Sequence, residues 1–142
     1  ARAEHVREAS QEAQVKLLLD THAILWWAVG SKNITATARE AILDGQNAVC
    51  VSAASAWEMA IKESTGKLSL PVSLRSQFDK SIEACGWSIL PILPRHGFLA
   101  GGLTPLHKDP FDRMLVAQAL SEHMTLVTRD QYLGRYGVTV LW

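Results

Sequence analysis

The feature that most restricts this chain is a series of short apolar runs at residues 15–19, 48–51, 87–92, 125–128 and 138–142, alternating with helical patterns. Each run has the length of a strand, and apolar residues fill it rather than alternating with polar ones. Such runs suit strands covered on both faces. Strand candidates separated by helices indicate βαβ units and a parallel sheet. The chain is therefore expected to be α/β, a single domain at residues 15–142. Its central sheet should be mainly parallel, of about five strands, with helices on both faces. The helical patterns cover residues 21–29, 35–44, 52–65, 71–85, 95–103 and 109–123. Gly30 and Gly66 close the first and third, and Thr35 can cap the second. Pro91 interrupts the third apolar run and suggests an edge strand.

A chain of 142 residues suits one core. Fourteen basic and fourteen acidic side chains leave no net charge. Bulk attraction to long nucleic acid is thereby disfavoured, so any such role rests on a local patch. Cys50 and Cys85 have no metal-ligand spacing and read as small core residues in a reducing compartment. No apolar run approaches the roughly 18 residues needed to span a bilayer. The expectation is a soluble cytoplasmic protein with no membrane partner. Residues 1–14 are charged and lack an apolar stripe, and read as a leader or an appended segment.

Four carboxylates fall where a parallel sheet presents the carboxyl ends of its strands, the usual place of a ligand crevice. Asp20 directly follows an apolar run, and Asp130 follows another across Arg129. Glu58 and Asp112 belong to helical patterns. Each acid also has a structural use. Asp20 can cap the helix after it, and Asp130 can serve a turn. Glu58 can close a capping box with Ser55, or pair with Lys62 at i+4. If its helix instead begins at Ser52, Glu58 lies about two turns in and projects over the sheet edge. Both readings stay open. Asp109-Pro110 is a natural helix start, with Asp109 as cap and Pro110 at N1. That leaves Asp112 as the better metal candidate of the two. Four acids at one sheet edge repel one another unless a cation lies between them. A hard divalent ion with oxygen ligands, Mg²⁺ or Mn²⁺, answers that need.

Held by carboxylates, such an ion suits phosphodiester hydrolysis. The chain has no G-x-S-x-G elbow, no Walker loop and no H-E-x-x-H pair. Its histidines show no repeated metal spacing, and His22, on an apolar helix, reads as a packed residue. Thr21 can add a hydroxyl beside Asp20. Lys62, His107, Lys108, Arg113 and Arg129 lie near the acids in sequence and can neutralise a substrate phosphate. Trp26 and Trp27, about 100° apart on a helix, cannot both face one core, so one is expected at the surface or under a partner.

In order, LLLDTHAILWW at 17–27, VSAASAWEMAIKESTGKL at 51–68, HKDPFDRMLVAQAL at 107–120 and LVTRD at 126–130 resemble the acidic motifs of PIN-domain ribonucleases. They are most similar to those of VapC-type toxins from prokaryotic toxin–antitoxin pairs. The resemblance spans residues 15–142, and each match includes apolar neighbours as well as an acid. It implies that Asp20, Glu58, Asp112 and Asp130 are the catalytic, metal-binding acids. It places Asp109 and Thr128 beside them; Thr21, and Lys62, Lys108, Arg113 and Arg129 as residues available to RNA, rest on their proximity to the acids in sequence. The implied activity is Mg²⁺-dependent endonucleolytic cleavage of tRNA, rRNA or mRNA, with Mn²⁺ able to substitute. The implied partners are RNA, a cognate antitoxin and a second copy of the chain. The family's chains usually begin at the first strand, without a counterpart to residues 1–14. A catalytically silent PIN-like module that binds RNA or protein is the alternative, although all four acids are present. A phosphoryl-accepting Asp20 is disfavoured, because Asp20-Thr21-His22 lacks the second acid of a D-x-D signature.

Overall fold

The computed structural model describes residues 14–142, so the leader expected at 1–14 lies, apart from Gln14, outside the described residues. Five strands form one sheet: β1 Lys16–Leu19, β2 Ala48–Ser52, β3 Ser88–Leu90, β4 Thr125–Val127 and β5 Val140–Leu141. Their order is β3-β2-β1-β4-β5, and every pairing is parallel. Side chains along β1 alternate between two cores. Leu17 and Leu19 pack with α1 (Thr21–Ala28), α2 (Ala36–Leu43) and α3 (Ala53–Ser64), through Ile24, Ile42 and Met59. Leu18 points the other way, onto Leu115 and Val116 of α7 (Pro110–Glu122). Both faces are covered, which is why the strand runs carry no polar alternation.

Helix starts follow the capping chemistry. Thr35 accepts the Ala38 amide at 3.1 Å at the start of α2, and Asp109 accepts the Phe111 amide at 2.8 Å at the start of α7. Helix α3 begins at Ala53, with Ser52 as its cap. The Ser55–Glu58 capping box is therefore not formed. Ser55 is buried inside the helix, and Glu58 stands well beyond its first turn. Ser52 is buried and also donates to Gln118 Oε1 at 2.6 Å, tying β2 to α7.

Three other expectations need correction. The apolar stripe at 71–85 is two short helices, α4 (Val72–Ser76) and α5 (Phe78–Ala84), broken where Gln77 leaves helical geometry. Neither tryptophan of α1 is left bare. Trp26 packs on Trp142 and Trp27 on Trp87, with ring centroids 5.6 and 5.7 Å apart, so the chain's own strand ends supply the cover. Cys85 is exposed and Cys50 only half-buried, so neither is a full core residue. The pattern at 95–103 forms α6 (Pro94–Gly102), and β3 is an edge strand that ends before Pro91.

Candidate active site

Chain direction across the sheet changes between β1 and β4. From β1 the chain builds outward through β2 and β3, then returns to place β4 on the other side of β1. At such a switch point the loops leaving adjacent strands diverge and open a crevice at their carboxyl ends. A cavity of about 310 Å³ includes Asp20, which follows β1, and Asp130, which follows β4 by way of Thr128 and Arg129. Glu58 of α3 and Asp109 and Asp112 of α7 complete its acidic lining, with Lys62, Arg129, His22 and Trp26 beside them.

Asp20 is fixed on both oxygens. Oδ1 accepts the Ala23 amide at 2.8 Å, and Oδ2 accepts the buried Thr128 hydroxyl at 2.7 Å. It therefore both caps α1 and faces the cleft, so the cap and the site are not competing roles. Burial raises its pKa despite these bonds, and Glu58 adds to the rise. Glu58 is buried at 3% exposure. The Thr21 hydroxyl donates to its Oε1 at 2.5 Å, and Lys62 Nζ pairs with its Oε2 at 2.7 Å. Thr21 Oγ1 also lies 3.0 Å from Ser55 Oγ. For Lys62, partial burial, which alone would lower the pKa, is outweighed by its bond to Glu58, and the ammonium is held above its usual range.

Asp112 is the most perturbed acid. Burial pushes its carboxyl up to about 7, and Asp109, Glu58 and Asp20 push the same way, against the pull of His107. A carboxyl kept protonated toward neutral pH by burial first, and by neighbouring acids second, marks a cleft where a bound cation would find excess negative charge. The donor set is carboxylate oxygen, with one imidazole at its edge. That fits Mg²⁺ or Mn²⁺ better than a soft metal.

His107 supplies that imidazole. Its Nδ1 accepts the Asp109 amide at 3.3 Å, so the ring's proton sits on Nε2, 3.2 Å from Asp130 Oδ2 and 3.5 Å from Asp112 Oδ2. One donor atom each from His107, Asp112 and Asp130 lie within 4.8 Å of one another. Sequence reading saw only a residue able to neutralise phosphate. The available signal was its place two residues before the cap of α7, where the ring can reach the cap's own amide. His107→Gln is expected to weaken Mn²⁺ binding by roughly 10- to 100-fold in titration calorimetry, the usual cost of losing an orienting partner. Unchanged affinity would make the histidine a bystander.

The remaining sequence candidates divide. Arg129 is exposed at the cleft with its guanidinium 5.8 Å over the Trp26 ring. Lys108 is exposed but does not line the cavity. Arg113 points away from the cleft: its guanidinium donates to the carbonyls of Ala100 at 2.9 Å and Leu103 at 3.0 Å, which ties the end of α6 to α7. His22 is exposed at the cleft rather than packed, because it stands on the first turn of α1 beside Asp20. Its ring lies 5.5 Å from that of Trp26.

Comparison with known proteins agrees with this geometry. The family profile described as "PIN domain" matches residues 17–138. Ribonuclease VapC22 of Mycobacterium tuberculosis (strain ATCC 25618 / H37Rv) is 29% identical over 121 residues, covering 82% of this chain and 88% of that relative. Among solved structures, VapBC2 from Rickettsia felis bound to a promoter DNA fragment aligns with a TM-score of 0.64 at 18% identity. That alignment covers 89% of this chain and 98% of the other. FitAcB from Neisseria gonorrhoeae aligns with a TM-score of 0.52 at 17% identity, covering 89% and 96%. The all-parallel five-stranded sheet, the acidic cleft at its switch point and the profile match over most of the chain together establish that this protein belongs to the PIN-domain family.

Proposed function

We propose that this protein is a divalent-metal-dependent endoribonuclease, the toxin of a toxin–antitoxin pair. The observation that carries the reading is the convergence of Asp20, Glu58, Asp112 and Asp130 on one cleft. The similarity to a ribonuclease and to the VapBC2 and FitAcB structures supports the substrate class and an antitoxin partner. A cytoplasmic homodimer whose cleft the antitoxin covers is part of the same proposal. No helix of the described residues is long and apolar enough to cross a membrane.

Asp20, Asp112 and Asp130 would hold the metal, with Glu58 beside them. A bound Mg²⁺ supplies positive charge to a phosphodiester oxygen and acidity to an attacking water, and Mn²⁺ can take its place. The protein's own contribution is positioning. Thr128 and the Ala23 amide hold Asp20 in a single orientation, and Thr21 and Lys62 do the same for Glu58. His107 holds Asp130 toward Asp112. Arg129, braced on Trp26 and open to solvent, is placed to meet a backbone phosphate. Lys108 can add charge from outside the cleft.

The test is cleavage of single-stranded RNA resolved on a gel, with MgCl₂ or MnCl₂ and with excess EDTA. Metal-dependent internal cuts are expected, and cleavage that persists in EDTA would refute the metal requirement. Asp109 should separate from Asp112 in the same assay. Asp109→Asn keeps an oxygen for the Phe111 amide and is expected to lower the rate by about tenfold at most, far less than Asp112→Asn. Equal losses would overturn the division between cap and ligand.

A further inference from the structure

Beside the acidic cleft, and sharing His22, Trp26 and Lys62 with it, lies a second cavity of about 440 Å³ of opposite character. Its apolar lining includes Leu25, Leu68 and Pro71. Its charged lining is Lys62 and Lys67, with no carboxylate. Lys67 is exposed and appears in none of the ion pairs formed by the described residues.

We infer that this groove is the subsite for the nucleotide flanking the scissile phosphate, its base on the His22–Trp26 side and the next phosphate on Lys67. The inference rests on the RNA-cleavage reading above and extends that same site. A strand whose phosphodiester lies among five acids must leave the cleft, and a lysine beside its path gains affinity by releasing the counterions of the next phosphate. The groove offers Lys67, since Lys62, the lysine common to both cavities, is paired with Glu58. Unstacked bases are recognised on aromatic and apolar surfaces, with charge reserved for the backbone, and the groove's lining divides in that way. An apolar segment of a protein partner would use the apolar lining but would leave Lys67 without a role.

The experiment uses the full chain with His22→Ala and Lys67→Gln, both at exposed positions outside the metal-binding acids. Steady-state cleavage of a mixed-sequence single-stranded RNA should show KM raised about 5- to 10-fold in each variant, with kcat of Lys67→Gln, which lies outside the acidic cleft, within about twofold of wild type. Binding is read on the Asp112→Asn background by anisotropy of a labelled adenosine decamer and of its abasic counterpart. The abasic oligomer should bind about tenfold more weakly when His22 is present, and the gap should narrow in His22→Ala. Lys67→Gln should reduce the slope of log affinity against log salt by about 0.7, the value for one phosphate contact on a single strand. Unchanged KM and salt slope in the variants, with the wild type cleaving RNA, would assign the groove to another occupant and overturn the subsite alone. Absence of metal-dependent cleavage by the wild type would overturn the parent reading and the subsite with it.

Discussion

Asp112→Asn and Asp20→Asn are each expected to lower metal-dependent RNA cleavage by on the order of 1,000-fold, beyond the 10- to 100-fold typical of an outer-sphere partner, while the fold survives. Survival follows from the local geometry. An asparagine at 20 keeps the oxygen that accepts the Ala23 amide and remains a good helix cap. Its amide can still meet the Thr128 hydroxyl, with donor and acceptor exchanged. At 112 the substitution removes a charge that three neighbouring acids oppose, so folding loses nothing at neutral pH. Circular dichroism and a melting curve measured beside the rate separate lost chemistry from lost structure. Undiminished cleavage by either folded variant would remove that acid from the catalytic site.

The second large effect is on pH dependence. The Asp112 carboxyl titrates near 7 in the folded, metal-free protein against an ordinary value of 3.8, chiefly through burial and then through Asp109. Between those values the native state keeps a proton that the unfolded chain has lost. Metal-free stability should therefore fall as pH rises from about 4 to about 7 and then level off. The carboxyl is a quarter exposed. With solvent screening allowed for, the loss is on the order of 2 kcal/mol. Asp112→Asn should abolish it, making the variant more stable than wild type above pH 7 and nearly equal to it at pH 4, as denaturant titrations would show. Metal affinity should move the opposite way. A ligand must shed its proton, so apparent Mn²⁺ affinity should climb by up to about tenfold per pH unit until near pH 7 and then flatten. A flat affinity profile across pH 5 to 8, with no excess stability of the variant at pH 8, would contradict the repulsive cleft described here.

Much of this arrangement was legible in the chain because local signals carried it. Continuous apolar runs identified a sheet covered on both faces, and Asp-Pro identified the start of α7 with Asp109 as its cap. The order of the strands was not legible, because nothing local records that β4 returns to the far side of β1. That return creates the switch point where the acids meet. Glu58 was ambiguous for a related reason: Ser52 and Ser55 both suit a helix start, and the partners that distinguish them, Gln118 for Ser52 and Thr21 for Ser55, are distant in the sequence. Arg113 looked like a phosphate ligand by proximity, yet carbonyls contributed by residues 100–107 capture its guanidinium. His22 reads as a packed residue, and its place at the cleft escapes the sequence because a side chain's direction depends on the helix start beside it. Trp26 and Trp27 found cover from residues 116 and 60 positions away, respectively, beyond any helical periodicity.

If the acids at this sheet edge form a site for a divalent cation, an ion soaked into the cleft is visible there. Crystals soaked in Mn²⁺ and measured for its anomalous scattering test this most directly. The expected result is a peak in the cleft between Asp20, Asp112 and Asp130, within about 2.3 Å of carboxylate oxygens and lost in crystals of Asp112→Asn. A cleft without such a peak at saturating Mn²⁺, in a protein that still cuts RNA, would contradict the account.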